Sequence, residues 1–245
     1  VAVEALFRES DDRSYGFTVG AFDPRYELTI DPLVLVYGTY LGGHDIDRAY
    51  SVAVDPAGAI YMCGDTYSRD FPPVTQTLPR SDMFVTKLAP DGASLVYTAF
   101  FPSTRDAENG NRGLAVDAKG FVTVAGSRSS PRFPMKNAFQ PEYGGGVADG
   151  GVLKLAKSGK SLVYSSYLGG MRGDYGSELA IGADGAVYIA GYTSSPDFPT
   201  KNAFQKTMSG EYEGFLAKID AQGRGLVYST FIGSSGTEFC SNVVV

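Results

Sequence analysis

The chain of 245 residues contains no tryptophan, one histidine and two cysteines, and it has no apolar run long enough to cross a bilayer. Two cysteines are too few for a disulfide scaffold, and neither Cys63 nor Cys240 stands in a metal-binding spacing. Both fall where the internal pattern described below wants a small residue, so they read as small buried thiols. With His44 alone, a Ser-His-Asp apparatus has a single candidate base, and no G-x-S-x-G elbow accompanies it; His44 reads as a solvated loop residue. No segment keeps a helical period, which excludes a helical solenoid. Lys and Arg are scattered singly through a chain of net charge −6, so the basic stripe that nucleic acid requires is missing. The start, VAVEALFRESDD, has neither a basic n-region nor a long apolar core and reads as neither signal peptide nor anchor. The end, SNVVV, breaks off inside an apolar run.

What the chain has in quantity is 31 Gly, 16 Tyr and 15 Phe, the composition of a turn-rich β protein. It also repeats itself. LVY recurs at Leu35, Leu95, Leu162 and Leu226, a period of about sixty residues, in the range of stacked or circular arrays. Within each period four blocks return in order. An apolar run ends in a turn (SVAVDPAG, GLAVDAKG, ELAIGADG) and a second run follows directly (AIYMCGDT, FVTVAGSR, AVYIAGYT). A loop carries DFP or RFP and, twice, KNAFQ; the third run is MFVTKLAPDG, GVLKLAKSG or GFLAKIDAQG; the fourth is the LVY run, LVYSSYLGG in its clearest copy. Each run has strand length and is rich in Val, Ile, Tyr, Phe and Thr, and Asp-Gly, Lys-Gly and Gln-Gly turns punctuate the series. NAFQ is short enough to form one helical turn and no more.

Four strands joined by tight turns form an antiparallel meander, and meanders repeated around an axis form a β-propeller. The expectation is an all-β propeller with three full blades near residues 51–101, 112–168 and 177–232. A fourth blade would be closed by both termini, NVVV supplying its innermost strand and VAVEALFR, YGFTVGAF and ELTIDPLVLVYGTYL the others. The alternative is an arc of a larger ring, which leaves two bare sheet edges in water. On this division residues 1–34 complete a blade or end an upstream domain, and residues 35–245 are propeller repeats.

The order LVYSSYLGG, ELAIGADGAVYIAGYTSSPDFPTKNAFQ, GFLAKIDAQGRGLVYSTFIG resembles the bacterial SBBP repeat, a β-propeller repeat of secreted and cell-surface proteins. The resemblance extends over residues 35–245. The segment YGFTVGAFDPRYELTIDPLVLVYGTYLGG resembles the end of the β-rich domain that commonly precedes such repeats. One copy departs from the pattern, FFPSTRDAENGN standing in place of YLGG with two additional residues. The resemblance implies secretion or surface attachment.

The residues that invite chemistry are acids. Asp47, Asp174 and Glu238 each stand six positions after the Leu or Ile that closes the fourth run, and Asp106 and Glu108 lie nearby in the longer copy. One acid per repeat forms a ring that could hold calcium through hard oxygens, grip sugar hydroxyls, or pair as glycosidase acid and base. The plainer reading is that each acid accepts backbone amides of its own turn and recurs because the turn recurs. Asp45 and Asp47 form a D-x-D without the rest of an EF-type loop. Phe71, Phe133 and Phe198, with Phe139 and Phe204, read either as plugs between blades or as an aromatic platform for carbohydrate. The glycine-rich YGGGVADGG lacks the lysine of a phosphate loop and reads as a flexible linker. No cofactor is called for beyond that calcium. The leading expectation is a non-catalytic extracellular module contacting other surface proteins or polysaccharide, or serving as a rigid spacer. The rivals are a polysaccharide-acting enzyme and a subunit assembling into oligomers through its sheet edges. Neither membrane insertion nor nucleic-acid binding is expected.

Overall fold

The computed structural model describes residues 5–9, 15–21, 23, 25, 38–73, 82–102, 111–129 and 133–245. The chain divides into two units, Val1–Val36 and Tyr37–Val245. In the first, β1 (Ala5–Glu9) pairs antiparallel with β2 (Tyr15–Val19). The third N-terminal run expected to join the fourth blade, ELTIDPLVLVYGTYL, lies largely outside the described residues.

The second unit holds three four-stranded antiparallel sheets. The first is β3 (Asp47–Val54), β4 (Ile60–Thr66), β5 (Asp82–Leu88) and β6 (Leu95–Pro102). The second is β7 (Asn111–Val116), β8 (Val122–Arg128), β9 (Asp149–Leu155) and β10 (Leu162–Leu168). The third is β11 (Asp174–Ile181), β12 (Val187–Thr193), β13 (Glu213–Ile219) and β14 (Leu226–Ile232). In every sheet, neighbours in space are neighbours in sequence, as tight turns between successive runs require. No helix occurs among the described residues.

The first turn of each sheet shows how short-range chemistry fixes the register. Asp55 accepts the amides of Ala57 and Ala59, and Asp117 those of Lys119 and Phe121, so one carboxylate closes the hairpin loop. In the third copy Gly182 replaces this acid, and Asp184, two residues on, accepts from Ala186. A lysine on the third strand follows the acid in all three: Lys87 lies 3.5 Å from Asp55, Lys154 3.1 Å from Asp117 and Lys218 3.0 Å from Asp184.

Because side chains alternate across a strand, each sheet presents two apolar faces. Tyr61, Cys63 and Val85 of the first sheet pack on Val122, Val124 and Leu153 of the second. Ala125, Val152 and Tyr164 of the second cluster with Val187, Ile189 and Phe215 of the third. Leu114 and Leu179, each 5% exposed, occupy the register that Val52 occupies in the first sheet, as their pairing with Val124, Ile189 and Met62 shows. Val52 is 63% exposed and Val54 59%, so this face of the first sheet has no cover among the described residues.

After β14 the chain follows the route it takes after β10. The amide of Glu238 donates to Tyr212 O as that of Asp174 donates to Ala148 O, and Thr237 bridges Tyr212 in parallel. Residues 242–245, expected to be an innermost strand, form no strand here.

KNAFQ is not a helical turn. Lys136 bridges Ser165 on β10, while Lys201 and Gln205 bridge Ser229 and Phe231 on β14. The segment therefore covers the outer edge of its sheet, where unpaired backbone groups would otherwise recruit another chain. Asn137 and Asn202 turn the backbone through φ 48° and 47°, and each side-chain amide donates to a strand carbonyl, Val163 O and Val227 O, at 3.0 Å. Asn tolerates this left-handed conformation better than residues lacking a short polar side chain. Asn202→Ala loses both the tolerance and the bond, and is expected to lower the unfolding free energy by about 1–2 kcal/mol in urea. Equal stability of the two proteins would refute the edge-clamp role.

Candidate functional site

Asp47 and Asp174 begin β3 and β11 and sit in matching networks. Asp47 Oδ2 accepts the Gly43 amide at 2.8 Å and the Ser68 hydroxyl at 2.8 Å. Asp174 Oδ2 accepts the Gly170 amide at 2.7 Å and the Ser195 hydroxyl at 2.9 Å, while its Oδ1 accepts from Thr193. Ser68 and Ser195 also receive the amides of Asp45 and Arg172, both at 2.9 Å. Asp70 and Asp197, the acids of DFP, accept the amides of His44 and Met171. The Asp174 network ties the loop after the second sheet to the segment that follows the second strand of the third, and the Asp47 network makes the same tie for the loop before β3. Glu238 has a smaller version, its Oε1 accepting from Ser234 at 2.7 Å.

The two glycines of YLGG are small because these acids are close. A β-carbon on Gly170 would stand 2.4 Å from Asp197 Oδ1, and one on Gly43 2.3 Å from Asp70 Oδ1. On Gly169 it would stand 2.7 Å from Asp174 Oδ2 and 2.8 Å from Asp149 Cγ. Gly169 thus lies between two carboxyl groups, and Gly233 likewise lies between Glu213 and Glu238. Asp149 also takes the Gly144 amide at 2.6 Å. The glycine-rich segment before β9 is therefore not a flexible linker. A β-carbon on Gly144 would come within 2.3 Å of Gly170 O, so glycine is required for the two loops to lie together.

Asp149 and Asp174 are both 0% exposed. Burial, opposed by its amide partners and reinforced by Asp174, pushes the Asp149 carboxyl up to about 7. Burial likewise raises Asp174 to about 6 against its hydroxyl and amide donors.

The structure gathers Asp47, Asp174 and Glu238 into their own turns rather than into a common centre. Asp106 and Glu108 lie outside the described residues. No group of three His, Cys, Asp or Glu side chains among the described residues is placed to hold a metal ion. His44, on its loop, contacts Asp70 through Nδ1, and that hydrogen bond raises its pKa. Cys63 and Cys240 form no disulfide; Cys63 is buried, and burial pushes it up to about 12. Phe71, Phe133 and Phe198 are plugs, 0%, 3% and 3% exposed, and Phe198 packs 4.4 Å from Phe215. Phe204 stands apart at 95% exposed.

One comparison with known proteins accords with this repeating geometry. Residues 36–72 match the family model described as SBBP, Beta-propeller repeat. Residues 36–72 are thus similar to one such repeat. That match holds β3, β4, Asp47, Ser68 and Asp70, which is one strand pair and its loop tie. No curated protein matches the chain. Among solved structures, a crystal structure of a protein of unknown function from Dyadobacter fermentans DSM 18053 is similar at 17% identity and TM-score 0.43, over 80% of this chain and 57% of that one. This chain thus spans little more than half of that protein.

The sequence pointed to the acids after YLGG but not to their partners. Asp70 and Asp197 stand beside phenylalanines that drew the eye as aromatics, and Asp149 and Glu213 open third strands. A carboxyl group whose folded pKa lies above its unfolded value binds more protons when folded. The stabilising protonation of Asp149 and Asp174 is therefore complete below about pH 4 and is lost as pH rises through about 6 to 7. The melting temperature is expected to fall between about pH 5 and pH 8, and Asp149→Asn to remove most of that slope. An unchanged slope in the variant would contradict the assignment.

Proposed function

We propose that the chain is a non-catalytic β-propeller module, acting outside the cell or on its surface as a rigid scaffold for contact with surface proteins or polysaccharide. One observation carries the reading: the repeated acids, which a glycosidase would need, hold turns instead. Asp174 accepts one amide and two hydroxyls, and Asp149 and Asp174 are both 0% exposed. A glycosidase needs one carboxyl group to protonate the leaving oxygen and another to reach the sugar or its water, both facing the substrate. The extracellular assignment rests on the likeness to SBBP repeats. The reading needs neither a cofactor nor calcium at Asp47, Asp174 or Glu238.

Incubation with a panel of plant, algal and microbial polysaccharides is expected to release no reducing ends above buffer. Release that disappears in a folded Asp174→Asn variant would overturn the non-catalytic reading.

The ring belongs to the same proposal. With three sheets described, a fourth blade would close the ring and cover the face that bears Val52 and Val54. Four blades is the lower limit for propellers, and covering this face removes an apolar surface from water. On this account Val52→Asp destabilises the chain by roughly as much as Leu114→Asp, several kcal/mol for a buried unpaired charge. A Val52→Asp variant as stable as the parent in urea would eliminate the four-bladed closure.

A further inference from the structure

The innermost strands share a defect that the sequence does not advertise. Pairing shifts between Ala49 and Ser51 on β3, between Asn111 and Gly113 on β7, and between Gly176 and Glu178 on β11. A β-bulge releases one residue from the alternation of the pleat and re-aims it. Tyr50 and Ser177 are those residues in the first and third sheets. Ser241 follows Cys240 as Ser177 follows Gly176, on the stretch that repeats the path into β11.

Tyr50, Ser177 and Ser241 line one cleft of 660 Å³, together with Glu178, Tyr192 and Phe239. The latch residues are the same in copies one and three, Asp47 with Asp174, Ser68 with Ser195, and Asp70 with Asp197. The bulge position instead differs along the chain: Tyr50, Arg112, Ser177, Ser241.

One wall of the cleft is aromatic and braced from behind. Phe239 meets Tyr192 edge-on at 4.6 Å and 89°, and Tyr175 stacks on Tyr192 at 4.7 Å and 21°. Tyr212 lies 6.3 Å from each of Tyr192 and Phe239. Phe239 remains 57% exposed and Tyr50 38%, an unusual exposure for large rings already held in place. Around them stand two serine residues and Glu178, whose Oε1 accepts the Leu179 amide at 3.0 Å and holds the carboxyl group in position.

We propose that this cleft binds a neutral oligosaccharide, its apolar ring faces stacked on Phe239 and Tyr50 and its hydroxyls bonded to Glu178, Ser177 and Ser241. The proposal rests on the reading of the chain as a non-catalytic interaction module and names the class of ligand. Pyranose rings present C–H faces that pack on aromatic rings and hydroxyl edges that need polar partners, and the wall and rim of this cleft supply both. Its volume lies within the range of small-molecule sites and accommodates about two or three sugar units. Aromatic rings beside a carboxylate also suit a quaternary ammonium, but that group is far smaller than the cleft and has no use for the serine hydroxyls.

The test is an NMR titration of the whole chain with cellotriose, laminaritriose, maltotriose and triacetylchitotriose to about 10 mM, with choline as the cation probe. At least one trisaccharide is expected to shift the resonances of Phe239 and its neighbours. Phe239→Ala should weaken that binding by about tenfold or more, while Phe204→Ala, which removes an exposed ring outside the cleft, keeps the parent affinity. Binding by none of the four sugars, equal affinity in Phe239→Ala, or binding of choline alone would overturn the ligand class and leave the non-catalytic reading standing. Cleavage of a sugar that Phe239→Ala no longer binds would overturn the non-catalytic reading and leave the ligand class standing.

Discussion

A four-stranded sheet with apolar side chains on both faces cannot be stable in water by itself, and the rest of this architecture follows from that constraint. Burial on one side leaves the other exposed, so each sheet needs a neighbour on both sides. The second sheet has two, and its faces contribute Val124 and Leu153 to one cluster and Ala125 and Val152 to the other. Among the described residues the first sheet has one, and Val52 and Val54 stay exposed on its other face. Stacking such sheets also brings the loop after one against the strands of the next, where backbone amides would lose water without gaining partners.

The recurrent carboxylates answer that second problem. Asp47 and Asp174 take a loop amide on one side and, on the other, a serine hydroxyl just past the end of the following strand. Their presence forces the Gly-Gly of YLGG, since any β-carbon there would collide with Asp70 or Asp197, or with the carboxyl group of Asp47 or Asp174 itself. Burial raises both the Asp149 and the Asp174 carboxyl groups, with the charge of Asp174 adding to the effect at Asp149 and that of Asp197 at Asp174. Structural repetition and perturbed titration therefore have one origin here, and neither implies catalysis. Tyr50 and Phe239, which line the cleft, belong to no repeated carboxylate network.

The strands and their order were legible because they depend on local features, namely β-rich runs of fixed length and acid or glycine turns such as those at Asp55 and Asp117. The burial of Phe71, Phe133 and Phe198 was legible as one of two readings for the same reason, since a plug recurs with the gap it fills. What escaped were relations across sheets. Asp149 and Asp174 lie on different sheets, and nothing in either local sequence marks them as neighbours. KNAFQ suggested a helical turn because its backbone conformation at Asn137 and Asn202 is set by an edge strand some 25 residues downstream. The cleft combines Tyr50 of β3, Tyr192 of β12 and Phe239 beyond β14, a set that no spacing rule connects.

The claim on which the account turns is that the repeated acid is a structural tie between successive sheets. Amide hydrogen exchange at Gly170, whose N–H is bonded to Asp174 and buried, tests it directly. The account predicts protection comparable to the central strand β12, because that amide opens only when the blade boundary opens, and predicts loss of that protection in Asp174→Ala. Exchange of the Gly170 amide in the parent protein at the rate of an unstructured loop would contradict it.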